Sequence, residues 1–227
     1  MCFDKKTSII VFSLGILAAT KVIYDAPKNN QQITTGIFII LISIMQLVEY
    51  FLWSYQGSDK YSLNMNRFWS YMILITLFLQ VIVYYFVNVY FGLISDPLII
   101  FYISGLSIFF ILTLVYVYKS EKKVGILQTR PSKGSCRLLW GVFDNRTNML
   151  NITSRLFRIF YLLSMMYLLW TNYGWKSLIL VATIIPAILY TIYYQRDFNA
   201  VYGSIWCFSI VIICILVVLF NIDLSKN

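Results

Sequence analysis

The sequence predicts an all-α integral membrane protein, a seven-transmembrane-helix bundle with a short cytosolic loop between helices 4 and 5. Three observations predict it. The 227 residues are 60% hydrophobic and only 12% charged. A water-soluble domain carries about a quarter charged residues, so this chain cannot cover a soluble surface. The apolar residues fall in long charge-poor runs, each near the roughly 20 residues that span a bilayer as a helix. The charges cluster between those runs.

Seven runs are expected as spans: residues 7–24, 34–54, 68–88, 97–118, 156–170, 175–194 and 201–220. The first holds Lys21 near its end, where a lysine stem can snorkel to the interface. The second contains one charge, Glu49. Pro97 suits the first turn of the fourth, and Pro186 inside the sixth can kink it or simply be tolerated. Trp53, Trp69, Trp170 and Trp175 flank the runs as interfacial belts do. Barrel strands are excluded because the runs are apolar on all sides and too long. Seven spans use up most of the chain, so residues 1–227 are expected to form a single polytopic membrane domain.

The long connection, residues 119–154, holds Lys119, Lys122, Lys123, Arg130, Lys133, Arg137 and Arg146. The positive-inside rule makes it cytosolic and alternation then places the N-terminus in the cytosol and the C-terminus outside. The sequons Asn145–Thr147 and Asn151–Thr153 should therefore stay unglycosylated. Residues 124–129 and 136–142 flank a Pro/Gly turn, which suggests a β-hairpin on the membrane surface. The alternative is an amphipathic patch through Leu138, Leu139, Trp140, Val142 and Phe143.

Several chemistries are excluded. The chain has no histidine, which removes His-based triads, His-ligated zinc and His-ligated haem. A covalent retinal needs a lysine in the last helix, and residues 201–220 have none. No cofactor is expected. The net charge of +9 lies between spans, not on a folded basic face, so no nucleic-acid partner is expected. The expected partners are the lipid bilayer, an ion or small hydrophobic ligand, and further copies of the chain. A G-protein-coupled receptor would have the opposite N-terminal orientation. No internal repeat supports an inverted-repeat transporter.

The polar residues inside spans are the candidate site. Ser43, Gln46, Glu49 and Trp53 share one helical stripe. A carboxylate at membrane depth is costly and faces the bundle interior. Glu49 is read either as a proton or cation site or general base, or as half of an ion pair with Arg155 or Arg158. Gln80, Tyr84 and Asn88 form a second stripe, lining a path or hydrogen-bonding between helices. Cys2, Cys136 and Cys207 lie towards the cytosolic side. They are candidates for a thiol or soft-metal cluster, for palmitoylation of Cys2 or Cys136, or for simple burial. No tight metal-ligand spacing exists, so no metal site is assigned.

The opening Met1-Cys2-Phe3, with Ser8 soon after, and the helix Gln46-Leu-Val-Glu49-Tyr-Phe-Leu-Trp53 resemble a family of uncharacterised multi-span membrane proteins of bacteria and large DNA viruses. Trp140 and Gly203-Ser-Ile-Trp206-Cys207 are similar too, while Asp4 stands where that family has serine. The resemblance implies a shared site at Cys2, Glu49, Trp53, Trp206 and Cys207 but no activity. The abundance of Ile, Asn, Tyr and Lys is compatible with an A/T-rich viral genome. Three functions are open at this stage. They are a channel, transporter or small-ligand-binding bundle with an internal polar site; a membrane enzyme acting on a lipid-like substrate; and a viral or host membrane scaffold that uses the cytosolic loop.

Overall fold

The computed structural model describes residues 4–25, 29–95, 97–124, 128–131, 138–143 and 148–174, with Ser177 and Val211. Five helices follow in chain order: α1 Lys5–Asp25, α2 Asn30–Ser54, α3 Lys60–Tyr90, α4 Leu98–Val124 and α5 Asn148–Tyr173. Between α4 and α5 lie β1 Arg130–Pro131, β2 Leu138–Leu139 and a 3-10 turn, Gly141–Phe143. Among the described residues, four helical stretches are long and apolar enough to cross a membrane: α1, α2, α3 and Leu98–Lys119 of α4. The expected sixth and seventh spans, with Pro186, lie outside the described residues except at Ser177 and Val211.

The helices are longer than the charge-free runs because polar caps start them. Asp59 accepts from the Ser62 amide at 2.9 Å, so α3 begins eight residues before its apolar run. The hydrogen bonds from Ser62 hold the Asp59 carboxyl below its ordinary pKa range. Asn29 accepts from the amides of Gln31 and Gln32 and starts α2. Asp4 caps α1 through the Thr7 amide at 2.8 Å. At 31 residues, α3 is about 46 Å long, well beyond the ~30 Å hydrocarbon core, so one end must project. The far end of α3 stops in a Schellman turn. Gly92 has φ +68°, and Leu93 N–H donates to the Asn88 carbonyl at 2.9 Å. The loop expected at residues 119–154 is correspondingly shorter. Helix α4 runs on to Val124 and α5 starts at Asn148, so the sequon at Asn151 lies inside a helix.

Close packing fixes the order of the bundle. Helices α1 and α2 meet through small residues: Gly15 lies against Ser43, and Gly36 lies against Ile23 and the Ala19 carbonyl. Small residues let membrane helices approach closely where lipid offers no hydrophobic drive. Helices α2 and α3 run antiparallel, since Phe51 stacks on Trp69 at 4.1 Å and Phe38 meets Tyr84 at 5.0 Å. Phe78 of α3 stacks on Phe110 of α4 at 4.2 Å. Tyr102 with Tyr167 and Phe109 with Phe160 set α4 antiparallel to α5, and Gly105 seats the Phe160 ring. Ile10, Leu14 and Leu17 on α1, with Ile108, Ile111 and Val115 on α4, are exposed and form an apolar exterior suited to lipid. The start of α1, the α2–α3 connection and the α4–α5 connection therefore gather at one end of the bundle.

Substituting Gly36→Val tests the close approach. Helix propensity alone favours any ordinary residue over glycine in a helix interior, by several tenths of a kcal/mol. Overpacking costs about 1–3 kcal/mol, so the net effect is a lower melting temperature in detergent. A variant that melts at or above the wild-type temperature contradicts the α1–α2 contact.

Candidate polar site at one end of the bundle

Glu49 sits five residues before the end of α2 and is 1% exposed. The Trp140 indole N–H donates to Glu49 Oε1 at 3.2 Å. An indole can only donate, so the carboxyl oxygen is the acceptor. Trp140 comes from the α4–α5 connection and is itself 1% exposed. Leu138 and Val142 beside it are buried too. The amphipathic patch expected to lie on the membrane surface is instead turned into the protein at these three positions. Fixing an indole over a carboxyl group inside the bundle leaves no apolar side chain of this trio for the interface.

A latch holds the segment there. Arg130 pairs with Leu139 and Pro131 with Leu138 in antiparallel register, which puts Thr129 across from Trp140. Asn66, in the second turn of α3, treats Thr129 as a strand would. Its Oδ1 accepts from the Thr129 amide at 2.9 Å and its Nδ2 donates to the Thr129 carbonyl at 2.9 Å. The other Nδ2 proton goes to the Tyr55 carbonyl. Thr129 Oγ1 lies 2.6 Å from Ser70 Oγ and accepts from the Gly141 amide at 3.1 Å. That last bond fixes the residue next to Trp140. Residues 132–137, with Cys136, lie outside the described residues, as do Cys2 and Cys207.

Within two turns of Glu49, α2 carries two other buried polar side chains, Ser43 and Gln46. Ser43 donates back to the Ile39 carbonyl at 2.7 Å and is satisfied within its own helix. Gln46 is 0% exposed, and both its Oε1 and Nε2 lack a hydrogen-bond partner. Ser8 on α1 is 1% exposed, and its Oγ has no partner either. Trp53 is half-buried and packs against the core. Of the two arginines expected as charge partners, Arg155 is exposed and Arg158, one turn further, is half-buried.

Gln80 and Tyr84 do not join this layer. Gln80 donates to the Leu41 carbonyl of α2 at 3.0 Å and accepts from Tyr161 Oη of α5 at 2.7 Å. Leu41 and Glu49 are eight residues apart, about 12 Å along the helix axis. Gln80 is thus a tie among α2, α3 and α5. Tyr84 belongs to a third layer at the opposite end. Gln31 Nε2 donates to the Asn172 carbonyl, and Asn172 Nδ2 donates to Tyr84 Oη, both at 2.6 Å. Tyr84 Oη donates to Tyr173 Oη at 3.4 Å, and Tyr173 meets Thr35 Oγ1 at 2.8 Å. Thr35 donates to the Gln31 carbonyl, so Tyr173 donates to Thr35, and the bonds close a ring across three helices. The two stripes expected to form one internal polar site therefore fall into three separate layers.

Sequence reasoning missed Asn66, Thr129, Tyr161, Asn172 and Tyr173. Asn66 stands before the apolar run of α3, and Asn172 and Tyr173 follow that of α5, so both places read as ordinary interfacial sequence. Tyr161 was one aromatic among many. Thr129 carries no local signal, because its role depends on a partner 63 residues away.

Replacing Asn66 with leucine should release the latch. Each lost neutral hydrogen bond contributes about 0.5–1.5 kcal/mol, so amide exchange at residues 128–130 and 138–143 should quicken by roughly 10- to 100-fold. Hydrogen-exchange mass spectrometry in detergent reads this directly. Unchanged protection would show that Asn66 does not hold the segment.

No family model matches the chain, and no curated protein or solved structure matches it.

Proposed function

We propose that the chain is a seven-span bundle that binds and moves an ion or small ligand through an internal polar layer centred on Glu49. A hairpin segment between the fourth and fifth spans closes that layer. The observation that carries this reading is a carboxyl group at membrane depth with an unpartnered amide one turn away. A buried polar group left unpaired costs about 1–3 kcal/mol, and here Gln46 contributes two such atoms. Structural polar groups in this bundle are tied, as Gln80 is to Leu41 and Tyr161. Gln46 departs from that pattern beside Glu49, which supports a site built for an occupant.

The membrane orientation rests on charge. Lys5, Lys6, Lys60, Arg67, Lys119, Arg130 and Arg155 stand on helix starts, a helix end and the connection at the Glu49 end. Lys21 and Asp25 near the opposite end pair with each other at 2.6 Å. The positive-inside rule then puts the Glu49 end in the cytosol, with a cytosolic N-terminus and an extracytosolic C-terminus. Kinship with the Met-Cys-Phe family is part of the same proposal, since Glu49 and Trp53 belong to its motif. Burial of Leu138, Trp140 and Val142 favours a loop that belongs to the bundle over one presented to a partner.

Flux through proteoliposomes tests the reading. Vesicles carry reporters for protons, sodium and potassium, and a light-scattering assay follows glycerol. At least one flux should exceed that of empty vesicles, and Glu49→Gln should reduce it at least tenfold while eluting as a monodisperse species. Equal flux in wild type and variant would remove Glu49 from the transport role.

A further inference from the structure

Taking α5 as the fifth span, as the proposed function does, we propose that Arg155 and Lys119 hold the headgroup phosphate of an anionic phospholipid on the outer face of the α4–α5 pair. Two exposed stripes make that face. On α5, Ile152, Ile159, Leu163 and Met166 are exposed, and exposed Arg155 falls with them within about 80° of arc. On α4, Ile108, Ile111 and Val115 are exposed, and their stripe ends at exposed Lys119. The stripes adjoin. Phe109 and Phe160 meet with ring centres 5.2 Å apart. Ile108 precedes Phe109 by one residue and Ile159 precedes Phe160 by one, so each stripe turns about 100° from the contact in its own helix's sense. In parallel helices equal turns would carry the stripes to opposite sides. In this antiparallel pair they fall on the same side. Arg155 is five residues from that contact and Lys119 ten, both towards the Glu49 end. Their backbones therefore differ in depth by about 8 Å, a gap that two long side chains bridge.

Arg155 needs an anion that the described chain does not supply. Ile152, one turn further out, is 58% exposed, and Ile159, one turn deeper, is 49% exposed. The arginine thus stands between outward-facing apolar side chains, at the edge of the hydrocarbon and not clear of it. Among the described residues no carboxylate pairs with Arg155 or Lys119. A cation at that depth is costly, and its long stem carries the charge to the headgroups. A guanidinium grips phosphate oxygens through two parallel N–H donors, and a lysine adds a compact charge beside it. Two cations without a paired carboxylate also select the net charge of the lipid. The ammonium of a choline or ethanolamine headgroup would be repelled, whereas a glycerol headgroup carries none. Below the phosphate, the groove between Ile108, Val115, Ile159 and Leu163 is apolar and takes the acyl chains.

Thermal melts of the purified, delipidated full-length protein in a neutral detergent test the site. Phosphatidylglycerol, phosphatidylcholine or glycerol phosphate is titrated in. A ligand that binds the folded state raises the melting temperature by mass action, so phosphatidylglycerol should give a saturable rise and the other two none. Each cation at an anionic surface changes affinity by roughly fivefold, so Lys119→Gln with Arg155→Gln should weaken the apparent affinity by about tenfold or more. Both side chains are exposed, so the lipid-free melt of that variant should match wild type. Lys5→Gln with Lys6→Gln removes two exposed cations at the same end, on α1, and should keep the full rise. An equal rise with phosphatidylcholine, a full rise without Lys119 and Arg155, or an equal loss without Lys5 and Lys6 would overturn the site. A rise with glycerol phosphate alone overturns the lipid as the occupant. Flux that depends on Glu49, without lipid selectivity, overturns the lipid site and leaves the transport reading standing. A selective lipid rise without flux does the reverse.

Discussion

Every polar group that this bundle carries into hydrocarbon must find its partner inside the protein. Water is absent there, and an unmet hydrogen bond costs more than it would at a soluble surface. That constraint explains why the polar side chains occur in layers. Gln80 reaches both a backbone carbonyl and a tyrosine hydroxyl on two neighbouring helices. The ring through Gln31, Asn172, Tyr84, Tyr173 and Thr35 satisfies five residues with one circuit. Measured bonds of this kind average well under 1 kcal/mol each in membranes, about 0.6 kcal/mol. Their value here lies in register. A slip of α2 against α3 or α5 would leave several groups bare at once.

Glu49 itself obeys the same constraint with a different device. Its acceptor is met by a tryptophan that arrives from a connection 91 residues away in sequence. Such a segment has its own backbone to satisfy, and buried irregular backbone is tolerated only where protein or water supplies partners. Asn66 supplies them by offering a donor and an acceptor to one residue, as a neighbouring strand would. Thr129 then passes order to Gly141, and so to Trp140. The carboxyl group and the latch are therefore coupled. The length of α3 matters to this arrangement, because Asn66 stands on the part of the helix that precedes the apolar run.

Membrane residence and the four long spans were legible because composition and charge spacing report the solvent directly. Helix ends were less legible. Charge-free runs mark hydrocarbon depth, whereas Asp59 and Asn29 mark where the backbone begins to coil, and in α3 the two differ by eight residues. Glu49 was legible as a residue that needed a partner. Its observed donor was not, since an indole in a loop reads as an interfacial anchor and arginines nearer in register look like better partners. The stripes of Gln46 and Glu49 on α2 and of Gln80 and Tyr84 on α3 were legible as polar. Their division into layers was not, because a single helix pattern carries no information on how an antiparallel neighbour is aligned. Phe38 against Tyr84 and Phe51 against Trp69 set that alignment.

The contrast between layers, more than any one residue, is what supports the site proposed at the Glu49 end. A group placed for stability should be satisfied, since half-satisfied buried networks are worse than apolar packing. Gln80 meets that standard fully, and Tyr84 meets it through Asn172 and Tyr173. Among the described residues of the far end, the spare acceptors of Asn88 and Asn172 alone lack partners, on amides whose nitrogens are already used. Gln46 has neither its donor nor its acceptor met, and it lies beside a carboxyl group. Leucine at position 46 would fill the same space without that cost. Retaining an amide there is a physical argument that stability was not the property being served.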